Sequence, residues 1–146
     1  MDTIVVKEEK ELDGVAREIL AILEKKEHAS VIALRGNLGA GKTALTKALA
    51  RVLGVHEQVT SPTFVIMKSY VTSESNQFKI LTHIDAYRIE SEDELRVLGF
   101  EALMRDPDRL TVIEWPERIS GILPLHPLTL TITIGEGEAR VISYGE

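Results

Sequence analysis

The chain has 146 residues, and its 17 Lys and Arg against 23 Asp and Glu give a net charge of −6. That is the length of one ordinary domain, and the acidic balance argues against a protein whose main task is gripping nucleic-acid phosphates, although a local basic patch stays open. Cysteine is absent, which excludes disulfides, thiolate metal sites and cysteine nucleophiles and suits a reducing cytosol.

No run approaches the ~18 apolar residues of a membrane span. Residues 1–10 turn charged after a short apolar run and do not read as a signal peptide. A cytoplasmic protein of one domain, residues 1–146, is expected.

In chain order, residues 1–6 form a short β-like run. Leu12, Val15, Ala16, Ile19, Leu20 and Leu23 recur at helical spacing, predicting an amphipathic helix from about Glu9 to Lys26. Val31 to Leu34 is continuously apolar, as in a strand buried on both faces. A glycine-rich loop follows from Gly36 to Gly41. Leu45, Ala48, Leu49 and Val52 then restore helical spacing up to a stop at Gly54. Phe64–Val71 and Phe78–Ile84 read as strands joined by the polar stretch from Thr72 to Gln77, a hairpin and hence antiparallel. Ser91 with Glu94 makes a capping box for a short helix. Leu110–Ile113 is another apolar strand. Leu128, Leu130, Ile132 and Ile134 alternate with threonines, and Gly135-Glu136-Gly137 turns that strand back into Arg140–Tyr144. The pattern is α/β, with a partly parallel sheet carrying antiparallel additions.

Gly36-Asn37-Leu38-Gly39-Ala40-Gly41-Lys42-Thr43 matches G-x-x-x-x-G-K-[ST] throughout and lies between a buried strand and a helix. Glycines let the backbone wrap a phosphate with successive N–H groups pointing inward. The helix beginning near Lys42 presents its positive end to the same anion. The Lys42 ammonium is placed to reach the β- and γ-phosphates, and the Thr43 hydroxyl to ligate Mg²⁺. The motif names neither the base nor a hydrolytic outcome.

Such a site needs a carboxylate at another strand end, and two are available: Glu114 after Val112-Ile113, and Asp85 after His83-Ile84. Either can hold Mg²⁺ directly or through water, or orient an attacking water. Either can equally be a strand-end residue bonding backbone amides. His83 on its own reads as a satisfied core or rim residue. Arg88 suits an arginine finger in cis or a surface pair with Glu90 or Glu94. Trp115 suits packing or a position beside the nucleotide. Thr60-Ser61-Pro62-Thr63-Phe64 is either an ordinary proline-stiffened loop or a switch sensing the γ-phosphate.

No Asn-Lys-x-Asp guanine motif and no Leu-Ser-Gly-Gly-Gln transporter signature occurs. The chain is too short for a helicase core. A small-molecule kinase stays open, although Arg105, Arg109 and Arg118 do not make an arginine-rich lid. A binding module using nucleotide only as a switch stays open too.

Taken together, residues 36–43, Thr-Ser-Pro-Thr-Phe (60–64), His-Ile-Asp-Ala-Tyr-Arg (83–88), Leu-Gly-Phe (98–100) and Ile-Glu-Trp-Pro-Glu (113–117) resemble the bacterial TsaE (YjeE) family of tRNA threonylcarbamoyladenosine biosynthesis ATPases. The resemblance runs over nearly the whole chain. It implies a three-layer P-loop NTPase-like fold and a weak Mg²⁺-dependent ATPase supporting the TsaB–TsaD heterodimer, with tRNA reached through that complex. It further implies Lys42 and the loop amides of residues 36–43 on the phosphates of ATP, and Thr43 and Glu114 on Mg²⁺. Asp85 becomes a metal-water or water-orienting residue. Thr60, Ser61 and Thr63 become switch residues, and Trp115 a neighbour of the active centre. Asn37 departs from the family, which commonly has Asp there. It removes a negative charge near the phosphates while keeping the backbone cradle.

Overall fold

The structure is a computed structural model that describes residues 2–37, 39–62, 65–73, 76–124 and 126–145. One seven-stranded sheet organises these residues. Its strands are β1 (Asp2–Val6), β2 (Ser30–Gly36), β3 (Met67–Val71), β4 (Ile80–Asp85), β5 (Arg109–Glu114), β6 (Leu128–Ile134) and β7 (Arg140–Gly145). The spatial order is β1-β7-β6-β2-β5-β4-β3. The central four, β6, β2, β5 and β4, run parallel. Antiparallel strands flank them on both sides: β3 on β4, and β7 on β6 with β1 on β7. The fold is therefore the mixed α/β sheet that the alternating pattern predicted, with its hairpins at the edges.

Residues alternate between two faces of this sheet, and each face has its own core. On one face Ile32, Leu34, Leu81, Leu110, Val112 and Leu130 pack beneath α1 (Leu12–Ile22) and α2 (Lys42–Val52). On the other, Val31, Ile84 and Ile113 pack against Leu95 of α3 (Asp93–Val97), Phe100 of α4 (Phe100–Met104) and Ile119 of a short 3-10 turn. Ser30 to Leu34 of β2 is buried throughout, because the strand lies in the middle of the sheet with helices on both sides.

Several boundaries differ from the sequence reading. α1 starts at Leu12, after a 3-10 turn over Glu9–Glu11 in which the Glu8 N–H donates to the Glu11 carboxylate. It stops at Ile22, because Leu23 turns extended and the polar residues beyond have no apolar face to bury. β3 starts at Met67 rather than Phe64. The Pro62 carbonyl accepts the amides of Val65 and Ile66, and Ile66 takes a positive φ of 68°, so the chain turns before it can pair. Phe64 itself lies outside the described residues. β4 starts at Ile80: Phe78 is fully buried below it, and the Lys79 amide is held by the Asp108 carbonyl. The expected capping box forms only by half: the Ser91 N–H donates to the Glu94 carboxylate, but the Ser91 hydroxyl accepts the Asp93 N–H and not that of Glu94, and α3 begins one residue later than expected, with Glu92 at its N-cap.

Phe100→Ala should destabilise the protein by about 3–5 kcal/mol, the cost of a large buried aromatic. Val97→Ala, at a side chain 85% exposed, should stay within about 0.5 kcal/mol of wild type. Urea unfolding followed by circular dichroism reads both.

Candidate functional site

The parallel pairing brings the C-terminal ends of β2, β5 and β4 side by side. Leu34 pairs with Glu114, and Glu114 with Asp85. Because paired residues point to the same side, Glu114 and Asp85 both face the α1–α2 layer, as does His83 two positions before Asp85. The carboxylate-bearing ends of β4 and β5 thus meet the loop leaving β2, where the strand order of an open α/β sheet leaves its crevice.

The loop from Gly36 to α2 follows from tight local geometry. A Cβ at Gly36 would sit 2.9 Å from the Ile132 carbonyl and 3.3 Å from Ala40 Cβ, so the strand end accepts only glycine without movement. The Ala40 N–H closes a turn onto the Asn37 carbonyl at 3.0 Å. Gly41 then enters α2 with φ 108°, a left-handed conformation that L side chains rarely adopt. Leu38 lies outside the described residues. The first four N–H groups of a helix have no acceptor within it. The first turn of α2 carries no acidic residue and no side-chain cap. Its positive end is thus left for an anion from outside the helix.

Lys42 is buried, with 6% of its surface exposed. Its Nζ donates to the Gly36 carbonyl and lies 4.2 Å from the centre of the Trp115 ring, a cation–π contact. Burial pulls its pKa below the ordinary lysine value, while Glu114, Asp85 and Glu117 draw it the other way. Trp115 reaches this position through a left-handed backbone, φ 57° and ψ 51°, directly after Glu114. Its ring contacts Tyr87 at 5.0 Å between centroids, and the Arg118 guanidinium lies 5.6 Å from the Tyr87 ring. Glu114 is 4% exposed and its Oε2 lies 2.5 Å from His83 Nε2. Asp85 is also buried, and its Oδ1 accepts the Tyr87 N–H at 3.0 Å.

The structure therefore gathers Lys42, Asp85, Glu114 and Trp115 at one place. Thr43 occupies the first turn of α2 beside Lys42. Thr60 is held by Lys68, whose Nζ donates to Thr60 Oγ1 at 2.7 Å. Ser61 is exposed, and Thr63 lies outside the described residues. Three further participants carry no role in the sequence reading, which takes His83 as a satisfied core or rim residue and does not single out Lys68 or Arg140. His83 is tied to Glu114. Lys68 pins Thr60. Arg140 of β7 donates from Nε to the Ala40 carbonyl at 3.1 Å, bracing the loop from the far side. The i, i+2 spacing of His83 and Asp85 on a strand was a usable signal for the first. Nothing local marked the other two. A cleft of about 380 Å³ opens on the β6–β7–β1 side of the loop, between Val6, Leu12, Ala44, Ile132 and Ile142, with Glu8, Glu138 and Arg140 at its walls.

Among the described residues no three His, Cys, Asp or Glu side chains gather as a metal-binding group. Mg²⁺ does not need one, since it is usually held by one or two carboxylates, waters and phosphates. Glu114 fits that use. It is buried at the strand end, only one of its oxygens is bonded to His83, and Asp85 stands beside it in register.

Sheet, loop and buried lysine together define a P-loop-type α/β domain. A family profile described as "Threonylcarbamoyl adenosine biosynthesis protein TsaE" matches residues 6–142. TsaE of Treponema pallidum is 35% identical over 108 residues, spanning 74% of this chain and 76% of that protein. TsaE of Aquifex aeolicus is 36% identical over 117 residues, spanning 79% and 77%. The crystal structure of Bacillus subtilis YdiB aligns with a TM-score of 0.72 and 26% identity, covering 98% of this chain and 83% of that one. The chain belongs to the TsaE family.

Trp115 is the only tryptophan, so its emission reports this site alone. Lys42→Met should shift the emission maximum without changing the far-ultraviolet circular dichroism. Superimposable emission spectra would mean that the ammonium does not sit on the ring.

Proposed function

We propose that this protein binds and hydrolyses ATP in support of threonylcarbamoyladenosine formation on tRNA, acting with a TsaB–TsaD complex. The observation that carries the reading is the burial of Lys42 against Glu114 and Asp85 beneath an uncapped helix N-terminus. A positive helix end, a lysine and two carboxylates in one crevice match the chemistry of a metal-bound triphosphate, where both charge signs are needed within a few ångströms. Family membership supports the tRNA-modification role.

In this reading the loop amides and Lys42 take the β- and γ-phosphates. Lys42 must leave the Gly36 carbonyl to do so, exchanging a neutral acceptor for an anionic one, which makes the stronger hydrogen bond. Mg²⁺, when bound, neutralises charge on the phosphate oxygens. Thr43 and Glu114 are the residues that would hold it, with Asp85 orienting water. The base takes the cleft beside Ala44, whose volume and apolar walls suit a flat heterocycle. Thr60 and Ser61 belong to the loop that responds to the γ-phosphate. Low activity of the protein alone follows if no intrinsic side chain completes the alignment of the attacking water, a task left to partner contact. The acidic net charge fits a subunit that leaves tRNA contact to its partners.

Lys42→Ala should cut phosphate release by about 100-fold or more, since a charged donor aimed at developing phosphate charge is lost. It should also stop tRNA modification in a system rebuilt with TsaB, TsaD and tRNA. Normal modification with this variant would contradict energy coupling. Glu114→Gln should remove the gain in ATP affinity brought by Mg²⁺; an unchanged gain would move the metal role to Asp85. Ala44→Trp should fill the cleft and weaken ATP binding while sparing tripolyphosphate binding. Equal loss of both ligands would place the base elsewhere.

A further inference from the structure

His83 has no task in the reading above, yet it is fully buried and its Nε2 lies 2.5 Å from Glu114 Oε2. A nitrogen and an oxygen at that separation need a proton between them. A carboxylate is acceptor only, so the imidazole supplies the proton from Nε2. We propose that His83 is the positioning residue of this site: it ties one oxygen of Glu114 and leaves the other turned to the Mg²⁺–phosphate position. The proposal rests on the reading of Glu114 as the metal-side carboxylate.

The surroundings single out this pairing. β4 and β5 run parallel, with His83 opposite Val112 and Asp85 opposite Glu114, so the ring reaches diagonally along one face to the carboxylate. Below it, Leu81 and Leu110 are fully buried and close the way toward the core. On the other side Lys68 stands opposite His83, but its ammonium is bonded to Thr60. His83 Nδ1 makes no hydrogen bond among the described residues. With the proton on Nε2, Nδ1 is a bare lone pair. With the proton on Nδ1, the ring would bury an unpaired N–H and turn a lone pair on the carboxylate. An apolar side chain would fill the same space, so packing alone does not call for imidazole. A bond that fixes the rotamer of Glu114 does, as partners of metal-side ligands commonly fix them.

Two variants separate positioning from packing. Gln at 83 carries an amide nitrogen near the place of Nε2, whereas Asn ends near Nδ1 and falls short of Glu114. Mg²⁺ is titrated into each protein at fixed ATP, with Trp115 emission as the readout, and ATP binding is repeated in EDTA. His83→Asn should weaken Mg²⁺ by about 10–100-fold and leave ATP affinity in EDTA unchanged. His83→Gln should recover most of the loss. Wild-type Mg²⁺ affinity in His83→Asn, or equal loss in both folded variants, would overturn the proposal. If ATP binding by the wild type ignores Mg²⁺ altogether, the reading of Glu114 fails first, and that result is distinct from either. The wild type supplies a test that needs no variant. Nitrogen-15 NMR of the His83 ring should show the proton on Nε2, and a ring protonated only on Nδ1 would overturn the assignment.

Discussion

The in-register parallel pairing of β2, β5 and β4 is the constraint on which the rest of this site depends. It sets Leu34, Glu114 and Asp85 in one row, two residues short of the glycine where the loop begins. A slip of one residue in β5 would turn Glu114 to the opposite face, toward Phe100 and Leu95, and bring Ile113 under the loop. The alternating apolar residues resist that slip, since Val112 and Ile113 belong to different cores. Packing far from the crevice thus holds the register that builds it.

The crevice then carries more charge than a core tolerates without pairing. Lys42, Glu114 and Asp85 are each less than a tenth exposed. A lone buried charge costs several kcal/mol, and mutual attraction repays this only with good geometry and added hydrogen bonds. Each group here has such a bond: Lys42 to the Gly36 carbonyl, Glu114 to His83, Asp85 to the Tyr87 amide. The left-handed turn at Trp115 costs of order 1–3 kcal/mol and lays an indole face on the lysine. A fold that holds ordered charge at one strand edge has groups already aimed when a ligand arrives.

Much of this was legible in the sequence, because the decisive features are local. The loop from Gly36 to Thr43 is eight consecutive residues. Asp85 and Glu114 each end an apolar strand, and the turn residues after Ile134 fall where the chain reverses. Features that depend on distant partners were not legible. Arg140 braces Ala40 from 100 residues away. His83 is the satisfied, buried residue its strand position suggests, but the partner that satisfies it, Glu114, lies 31 residues away on β5. Pairing of β1 with β7 likewise follows from sheet order and from nothing in the first six residues. The start of β3 was misplaced because the carbonyl of Pro62 captures two amides that a strand pattern assigns to pairing.

In the function proposed above, this crevice turns over ATP under the control of partner proteins. Phosphate release from MgATP tests it most directly, measured with the protein alone and then with TsaB, TsaD and tRNA added. Slow release alone and strong stimulation by the complete set are expected. Tight ATP binding with no stimulation by any combination would contradict it and leave a nucleotide-binding switch in its place.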